Sequence, residues 1–185
     1  MPRLSQDSAE KSAADAAKLW RNRCFLFIIM LRIKNPDSGV RMVREAKNDD
    51  LDGILALYLH LHEKTVPEKS QRLLETWRKI LCDDNYHLIV SEEGGKIVSS
   101  CVCVIVPNLT RDARPFAVVE NVVTHAAHRR KGFATQCLNF ARDLAADAGC
   151  YKIMLMTGSK ERRTLDFYAG AGYDSTEKTA FIQRL

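Results

Sequence analysis

A regular pattern of apolar and polar positions begins near residue 40. Val40-Arg-Met-Val-Arg-Glu-Ala46 alternates with a period of two and predicts a strand. Asp49 or Asp50 can cap a helix whose apolar positions Leu51, Ile54, Leu55, Tyr58 and Leu61 recur at helical spacing. A second helix is predicted from about Lys69 to Leu81, with Leu73, Leu74, Trp77 and Leu81 on one face. Tyr86–Ser91 and Ile97–Val106 read as strands joined in a hairpin across Glu93-Gly-Gly-Lys96. Pro107–Pro115 is a polar loop, and Phe116–Thr124 is a strand, apolar except for Glu120 and Asn121 at its centre. A long helix is expected from Gly132 to about Ala148, with a continuous stripe through Ala134, Cys137, Leu138, Ala141, Leu144, Ala145 and Ala148. Tyr151–Met156 then predicts a buried strand, Arg163–Ala171 a short helix and Thr179–Gln183 a last strand.

The order β-α-α-β-β-β-α-β-α-β predicts an α/β (α+β) fold, a mixed sheet with helices on both faces. At 185 residues the chain fits one domain with a core that needs neither disulfides nor metals. Residues 1–39 read differently. Ser5–Lys18 is rich in Ala, Ser and charge, as in a frayed helix or a disordered segment. Cys24–Leu31 is an apolar run far short of the ~20 residues of a membrane span. Asp7, Glu10 and Asp15 precede it and no A-x-A site follows, which speaks against a signal peptide. Asn35-Pro-Asp-Ser-Gly39 is a strong turn and the expected boundary between an extension (1–39) and the folded domain (40–185). Met30 is a second candidate start, and the mass of the native N-terminus decides between the two. The expected location is cytoplasmic.

Composition narrows the function. The apolar fraction is 46% and the charged fraction 28%, ordinary for a globular protein. The net charge of +5 suits an anionic partner, and it is densest at Arg129-Arg-Lys131 and Arg162-Arg163. The aromatic interleaving of a nucleic-acid platform is absent, so neither nucleic acid nor membrane is an expected partner. None of the six cysteines forms a C-x-x-C pair or has histidine at zinc-like spacing, so no metal is expected and buried free thiols are.

The segment that carries chemistry is Val122-Val-Thr-His-Ala-Ala-His-Arg-Arg-Lys-Gly-Phe-Ala-Thr135. A strand runs into a basic turn, and a helix opens at its end. Gly132 lets the backbone turn tightly and approach a ligand. The helix start offers free N–H groups at the positive end of its dipole. Together these form a pocket for a pyrophosphate, edged by Arg129, Arg130 and Lys131. On this segment alone, a solvated basic turn opening an ordinary helix is an equal reading.

Three pieces in order decide between them. Val122–Ala134 resembles the strand and R-x-x-G-x-G/A loop of the GNAT superfamily of acetyl-CoA-dependent N-acetyltransferases. Cys150-Tyr-Lys-Ile-Met-Leu155 looks like that family's fifth strand, and Thr164-Leu-Asp-Phe-Tyr-Ala-Gly-Ala-Gly-Tyr173 like its A-x-x-F-Y-x-x-x-G-F/Y helix. The likeness extends over residues 40–185. It implies the GNAT fold, acetyl-CoA as co-substrate without a metal, and a primary amine of a small molecule or peptide as acceptor. It also implies that the backbone of Val122, Val123 and Thr124 pairs with the pantetheine arm, one N–H there holding the thioester oxygen. The amides of Arg130, Lys131, Gly132, Phe133, Ala134 and Thr135 would hold the pyrophosphate, with Arg129 beside them.

The same resemblance makes Tyr168 the acid that protonates the leaving thiolate; its other reading is a core aromatic beside Phe167. Glu120, amid Val118, Val119, Val122 and Val123, is expected to be desolvated and so raised toward a useful base, or else only to orient the substrate. The glucosamine-phosphate N-acetyltransferases have an acid after this Glu, where Asn121 stands here. That departure, with a different preceding loop, argues against glucosamine 6-phosphate as acceptor. Further departures are Ala126 for a proline and Glu161 for an asparagine. Tyr58, His62, Glu63, Arg111, Arg114 and Phe116 are candidate acceptor lining, the two arginines suiting a phosphate or carboxylate. His125 and His128 flank the loop as exposed residues. A catalytically weak acyl-CoA sensor is the alternative function, excluded by turnover. A homodimer is compatible with the fold, with no surface singled out.

Overall fold

The computed structural model of the chain describes residues 41–61 and 63–185. The expected extension over 1–39, Val40 at the head of the first strand, and His62 lie outside the described residues. Five strands, β1 (Arg41–Glu45), β2 (Tyr86–Glu93), β3 (Lys96–Val106), β4 (Phe116–Thr124) and β5 (Ile153–Leu155), form one sheet in the order 1-2-3-4-5. The first three pairings are antiparallel and β4–β5 is parallel, the mixed sheet that the element order predicts. Four helices accompany it: α1 (Leu51–Tyr58), α2 (Gln71–Cys82), α3 (Phe133–Asp147) and α4 (Arg162–Gly170).

Local chemistry explains most boundaries. Gly94 and Gly95 both have positive φ (59° and 76°), as a two-residue hairpin turn requires, and they set Glu93 opposite Lys96. The Ser70 hydroxyl accepts from the Leu73 N–H at 3.3 Å and caps α2. The loop after β3 turns through three left-handed residues, Arg111, Asp112 and Ala113, tied by the Asn108 amide donating to the carbonyls of Thr110 (2.7 Å) and Arg114 (3.1 Å).

Strand alternation then sorts the core into two layers. Leu88, Val90 and Val102 face α1 and α2, where Ile54 and Trp77 complete a buried cluster. Ile89, Cys101, Cys103 and Val119 are buried on the other face, where α3 packs on β2, β3 and β4. The Cys103 thiol there reaches the Ala141 carbonyl at 3.9 Å.

Two expectations are corrected at the end of the chain. β5 is three residues long rather than six, and its side chains are half-buried, because it is the last strand of the sheet. Thr179–Gln183 forms no strand. Its ladder has no partner, and Phe181 and Ile182 stand 91% and 74% exposed.

Trp77 joins both helices to the sheet, and its indole N–H donates to the Asn48 carbonyl at 3.3 Å. Trp77→Ala opens a cavity in the α1–α2 layer and should cost about 3–5 kcal/mol. The expected readout is a lower urea midpoint with an unchanged slope.

Candidate functional site

β4 pairs with β5 only at Ala117–Ile153, Val118–Met154 and Val119–Leu155, yet continues to Thr124. From Glu120 onward its β5-facing edge has no strand partner among the described residues. The cause is visible in the β3 register. Val102 lies opposite Glu120 and Ser100 opposite Val123, so Asn121 and Val122 together face the single residue Cys101. This is a β-bulge, and Asn121 takes the left-handed φ of 52° that it needs. Asparagine is among the few residues that adopt this conformation readily. The bulge bends β4 at the point where pairing with β5 has ended. The sequence held a signal for it, an Asn in the middle of an apolar strand, but alternation alone reads straight through the position.

Glu120 shares a sheet face with Val102 and the α1–α2 layer. It is exposed, which corrects the expected desolvation. Val119 turns to the opposite face, and the ladder to β5 has ended beside the carboxylate, which is open to solvent. Three tyrosines from different elements belong to this region. Burial pushes the Tyr58 phenol up to about 12, with Tyr86 adding to it. Burial also raises Tyr86 and Tyr168, and the Glu120 charge raises both further; Cys101 contributes at Tyr168. Tyr168 is half-buried, its ring 5.0 Å from Phe167 and 6.3 Å from Tyr173. Phenols raised in this way remain protonated donors at neutral pH.

The nearby thiols are inert. A hydrogen bond with Cys137 and burial hold the Cys101 thiol well above its ordinary value, and burial pushes Cys103 up to about 12.

After Thr124 the chain makes a tight turn at Ala126–His128 and enters the basic loop. Arg130 (φ 64°) and Gly132 (φ 86°) are left-handed, which curls the backbone into a concave row of amides. The conformation, not crowding, selects glycine at 132, where an added Cβ would meet nothing within 4 Å. The first hydrogen bond of α3 runs from the Gln136 N–H to the Gly132 carbonyl at 3.0 Å. The N–H groups of Phe133, Ala134 and Thr135 therefore have no intrahelical acceptor. Arg129, Arg130, Lys131, Gly132 and Thr135 are exposed around this cradle; Ala134, Val122 and Thr124 are half-buried, and Val123 and Phe133 are buried.

Residues that the sequence reading did not single out hold the cradle in place. Glu93 accepts from His128 Nδ1 at 2.8 Å and lies 3.6 Å from Arg41 and 3.9 Å from Lys131. Arg41 donates to the Lys131 carbonyl at 3.2 Å and stacks over the Phe133 ring at 4.8 Å. The Ser99 hydroxyl lies 2.8 Å from both the Val123 carbonyl and the Thr124 hydroxyl. Arg129 Nε donates back to the Thr124 carbonyl at 3.2 Å.

The expected acceptor arginines lie elsewhere. Arg114 donates to the carbonyls of Gly149 (3.2 Å) and Cys150 (3.3 Å), beyond the C-terminal end of α3, where a cation is favoured. Arg111 stacks over Tyr151 at 5.9 Å, and the Phe116 ring lies 6.3 Å from the same side chain. This group gathers at the start of β4, about 13 Å from Glu120 at the ordinary strand rise. No group of three or more His, Cys, Asp or Glu among the described residues could hold a metal ion.

His125 and His128 are half-buried rather than exposed. His125 stacks edge-on against His60, with ring centroids 4.2 Å apart, and its Nδ1 accepts the Ala127 N–H at 3.2 Å. Desolvation, then His60, His128 and Arg129, lower its pKa. The folded chain thus binds this proton less readily than the unfolded chain. The resulting stability is present above the ordinary histidine range and is lost as pH falls through the depressed folded value. Thermal midpoints should therefore drop on acidification below about pH 6.5, the ordinary histidine value. His125→Asn, which keeps an acceptor without titrating, should flatten that part of the profile.

A family model described as "Acetyltransferase (GNAT) family" matches residues 51–173, a span that contains the bulge, the free strand edge, the cradle and Tyr168. A putative acetyltransferase from Agrobacterium tumefaciens str. C58 superposes with a TM-score of 0.71 at 34% identity, covering 77% of this chain and 99% of that one. A glucosamine 6-phosphate N-acetyltransferase of Trypanosoma brucei brucei is 30% identical over 84 residues, 45% of this chain; the match spans 55% of that protein, about half its length. AAC(6')-Iy in complex with the bisubstrate analog CoA-S-monomethyl-acetylneamine shares the fold, with a TM-score of 0.66 at 17% identity over 80% of this chain and 99% of that one. With the family model covering most of the described domain, the chain belongs to the GNAT family of acetyltransferases, enzymes that use acetyl-CoA.

Proposed function

We propose that this acetyltransferase moves an acetyl group from acetyl-CoA directly to a primary amine of a small molecule or peptide, in the cleft where β4 leaves β5. One observation carries the reading: β4 runs on to Thr124 after its pairing with β5 has stopped at Val119. The backbone of Val122–Thr124 is then free to bind an extended arm as an added strand. The amides of Arg130–Thr135 receive the pyrophosphate, with the side chains of Arg129, Arg130 and Lys131 at its edge. The free α3 amides and the left-handed turns at Arg130 and Gly132 fit that group. Acetyl-CoA supplies a thioester already activated for attack by nitrogen.

The chain's own groups then manage two protons. A C–N bond forms as the C–S bond breaks, so the amine must lose a proton and the thiolate must gain one. Glu120 takes the first, through water in its open cleft, or else orients the amine for solvent to do so. Tyr168 gives the second, its raised pKa keeping the proton in place until the thiolate forms. An N–H of the free β4 edge polarises the thioester carbonyl.

The tyrosines and the single carboxylate suit a cationic or hydroxyl-bearing amine. Arg111 and Arg114, occupied at the start of β4, do not serve an anionic group on it. The described cysteines are free, which fits the reducing cytoplasm as the place of action.

Thiol release from acetyl-CoA should depend on one class within a panel of polyamines, amino acids, aminoglycosides, amino sugars with and without 6-phosphate, and N-terminal peptides. Tyr168→Phe should lower kcat by about 10²-fold with little change in acetyl-CoA binding. Glu120→Gln should lower kcat/KM most at low pH; an unchanged rate across the pH range would falsify the base assignment. Acetyl-CoA binding without release against any amine would point to the sensor instead.

A further inference from the structure

The short stretch His125–Arg129 joins the free edge of β4 to the basic loop, and one side chain holds the joint. The His125 N–H donates to the Val98 carbonyl of β3 at 2.9 Å, which ties the joint to the sheet. The His125 ring caps the turn Ala126–His128, its Nδ1 accepting the Ala127 N–H at 3.2 Å. Two backbone bonds close that turn, from the His128 N–H to the His125 carbonyl at 2.8 Å and from the Arg129 N–H to the Ala126 carbonyl at 3.4 Å. Ala126 and Ala127 are exposed and have no polar side chain to add a hold of their own. Beyond the turn stand Arg130 and Gly132, the two left-handed residues that shape the cradle. The turn therefore sets where the amides of Arg130–Thr135 lie relative to the edge at Val122–Thr124.

The two histidines of this stretch use their rings in opposite ways. His128 Nδ1 faces the Glu93 carboxylate at 2.8 Å, so it donates, and a further proton on this ring leaves that bond in place. His125 Nδ1 accepts from a backbone N–H, so the single proton of its neutral ring sits on Nε2. A second proton on His125 must go to Nδ1, which then meets the Ala127 N–H donor to donor. The titratable and charged groups acting on His125 are His60 beyond the end of α1, its ring 4.2 Å away, and His128 (5.3 Å) and Arg129 of its own stretch. β3 presents the Val98 carbonyl, and no carboxylate is among these neighbours to welcome the charge.

We infer that His125 is a positioning residue for acetyl-CoA: its neutral imidazole holds the turn that aligns the pantetheine edge with the pyrophosphate cradle, and a proton on Nδ1 releases the turn and weakens cofactor binding. The inference rests on the cradle proposed above and adds a control that acts through the backbone. Simple attraction runs the other way, since an imidazolium near a pyrophosphate favours binding. The sign of the pH effect therefore separates the two.

Calorimetry of acetyl-CoA binding to the full chain, from about pH 8 to about pH 5, spans the range in which histidine changes charge. Affinity should be level above about pH 6.5 and fall below it, toward about tenfold per pH unit, as the competent fraction shrinks. His125→Asn supplies an acceptor that does not titrate and should lose this fall; any titration of the ligand's own phosphates is common to both proteins. His125→Phe keeps a ring but no acceptor, and should bind weakly at every pH. In the unsubstituted protein, nitrogen-15 NMR of the imidazole should place the single proton on Nε2. Saturating acetyl-CoA should then lower the pH at which His125 titrates, as reciprocity requires. An undiminished fall in His125→Asn overturns the inference, as does tighter binding in acid, or a His125 titration that acetyl-CoA leaves unmoved or shifts upward. No binding at any pH overturns the acetyl-CoA reading itself, and the inference with it.

Discussion

Everything at the cleft depends on β4 keeping one ladder while giving up the other. Its pairing with β3 continues to Thr124, opposite Ser99, but its pairing with β5 ends at Val119. A regular strand has no reason to part from a parallel neighbour. The bulge at Asn121 supplies one, by adding a residue, bending the strand and increasing its twist. The result is a row of backbone groups free to pair with a ligand beside a carboxylate on the same strand. The left-handed φ at Asn121 is local strain of about 1–2 kcal/mol for an ordinary residue, which asparagine largely avoids.

The basic loop at the start of α3 is the second feature of this region. A free helix start is common to all helices, and it becomes specific here because its approach is held rigidly. Ser99 ties the end of β4 to β3, while Glu93 of β2 and Arg41 of β1 bind the basic loop to the sheet through His128, Lys131 and Phe133. Each of these contacts spans a long separation in sequence. They bring the charge of Arg129–Lys131 to one side of the cradle without burying it. Partly buried anchors and exposed cations together suit the pyrophosphate contact proposed above.

The electrostatics of the cleft divide its residues into two kinds. Glu120 is open to water, whereas Tyr58, Tyr86 and Tyr168 are desolvated enough to hold their protons firmly. In the proposed reaction, this difference in exposure would let one site handle two protons in opposite directions. The buried thiols behind the sheet take no part, because burial and their mutual contact keep them protonated.

The sequence by itself determined the element order as far as α4, the hairpin at Gly94–Gly95, the apolar stripe of α3 and the segment from Val122 to Thr135, because these rest on short-range periodicity and turn chemistry. It also determined the family, through three motifs spread over β4 with its loop, β5 and α4. The tertiary structure alone decided the exposure of Glu120, since that depends on where a neighbouring strand stops. It removed Arg111 and Arg114 from the cleft, since their partners Tyr151, Gly149 and Cys150 lie some forty residues on. It also left Thr179–Gln183 unpaired, although its local pattern is that of a strand. A strand exists only where another backbone meets its hydrogen bonds, and no pattern within one segment specifies that partner.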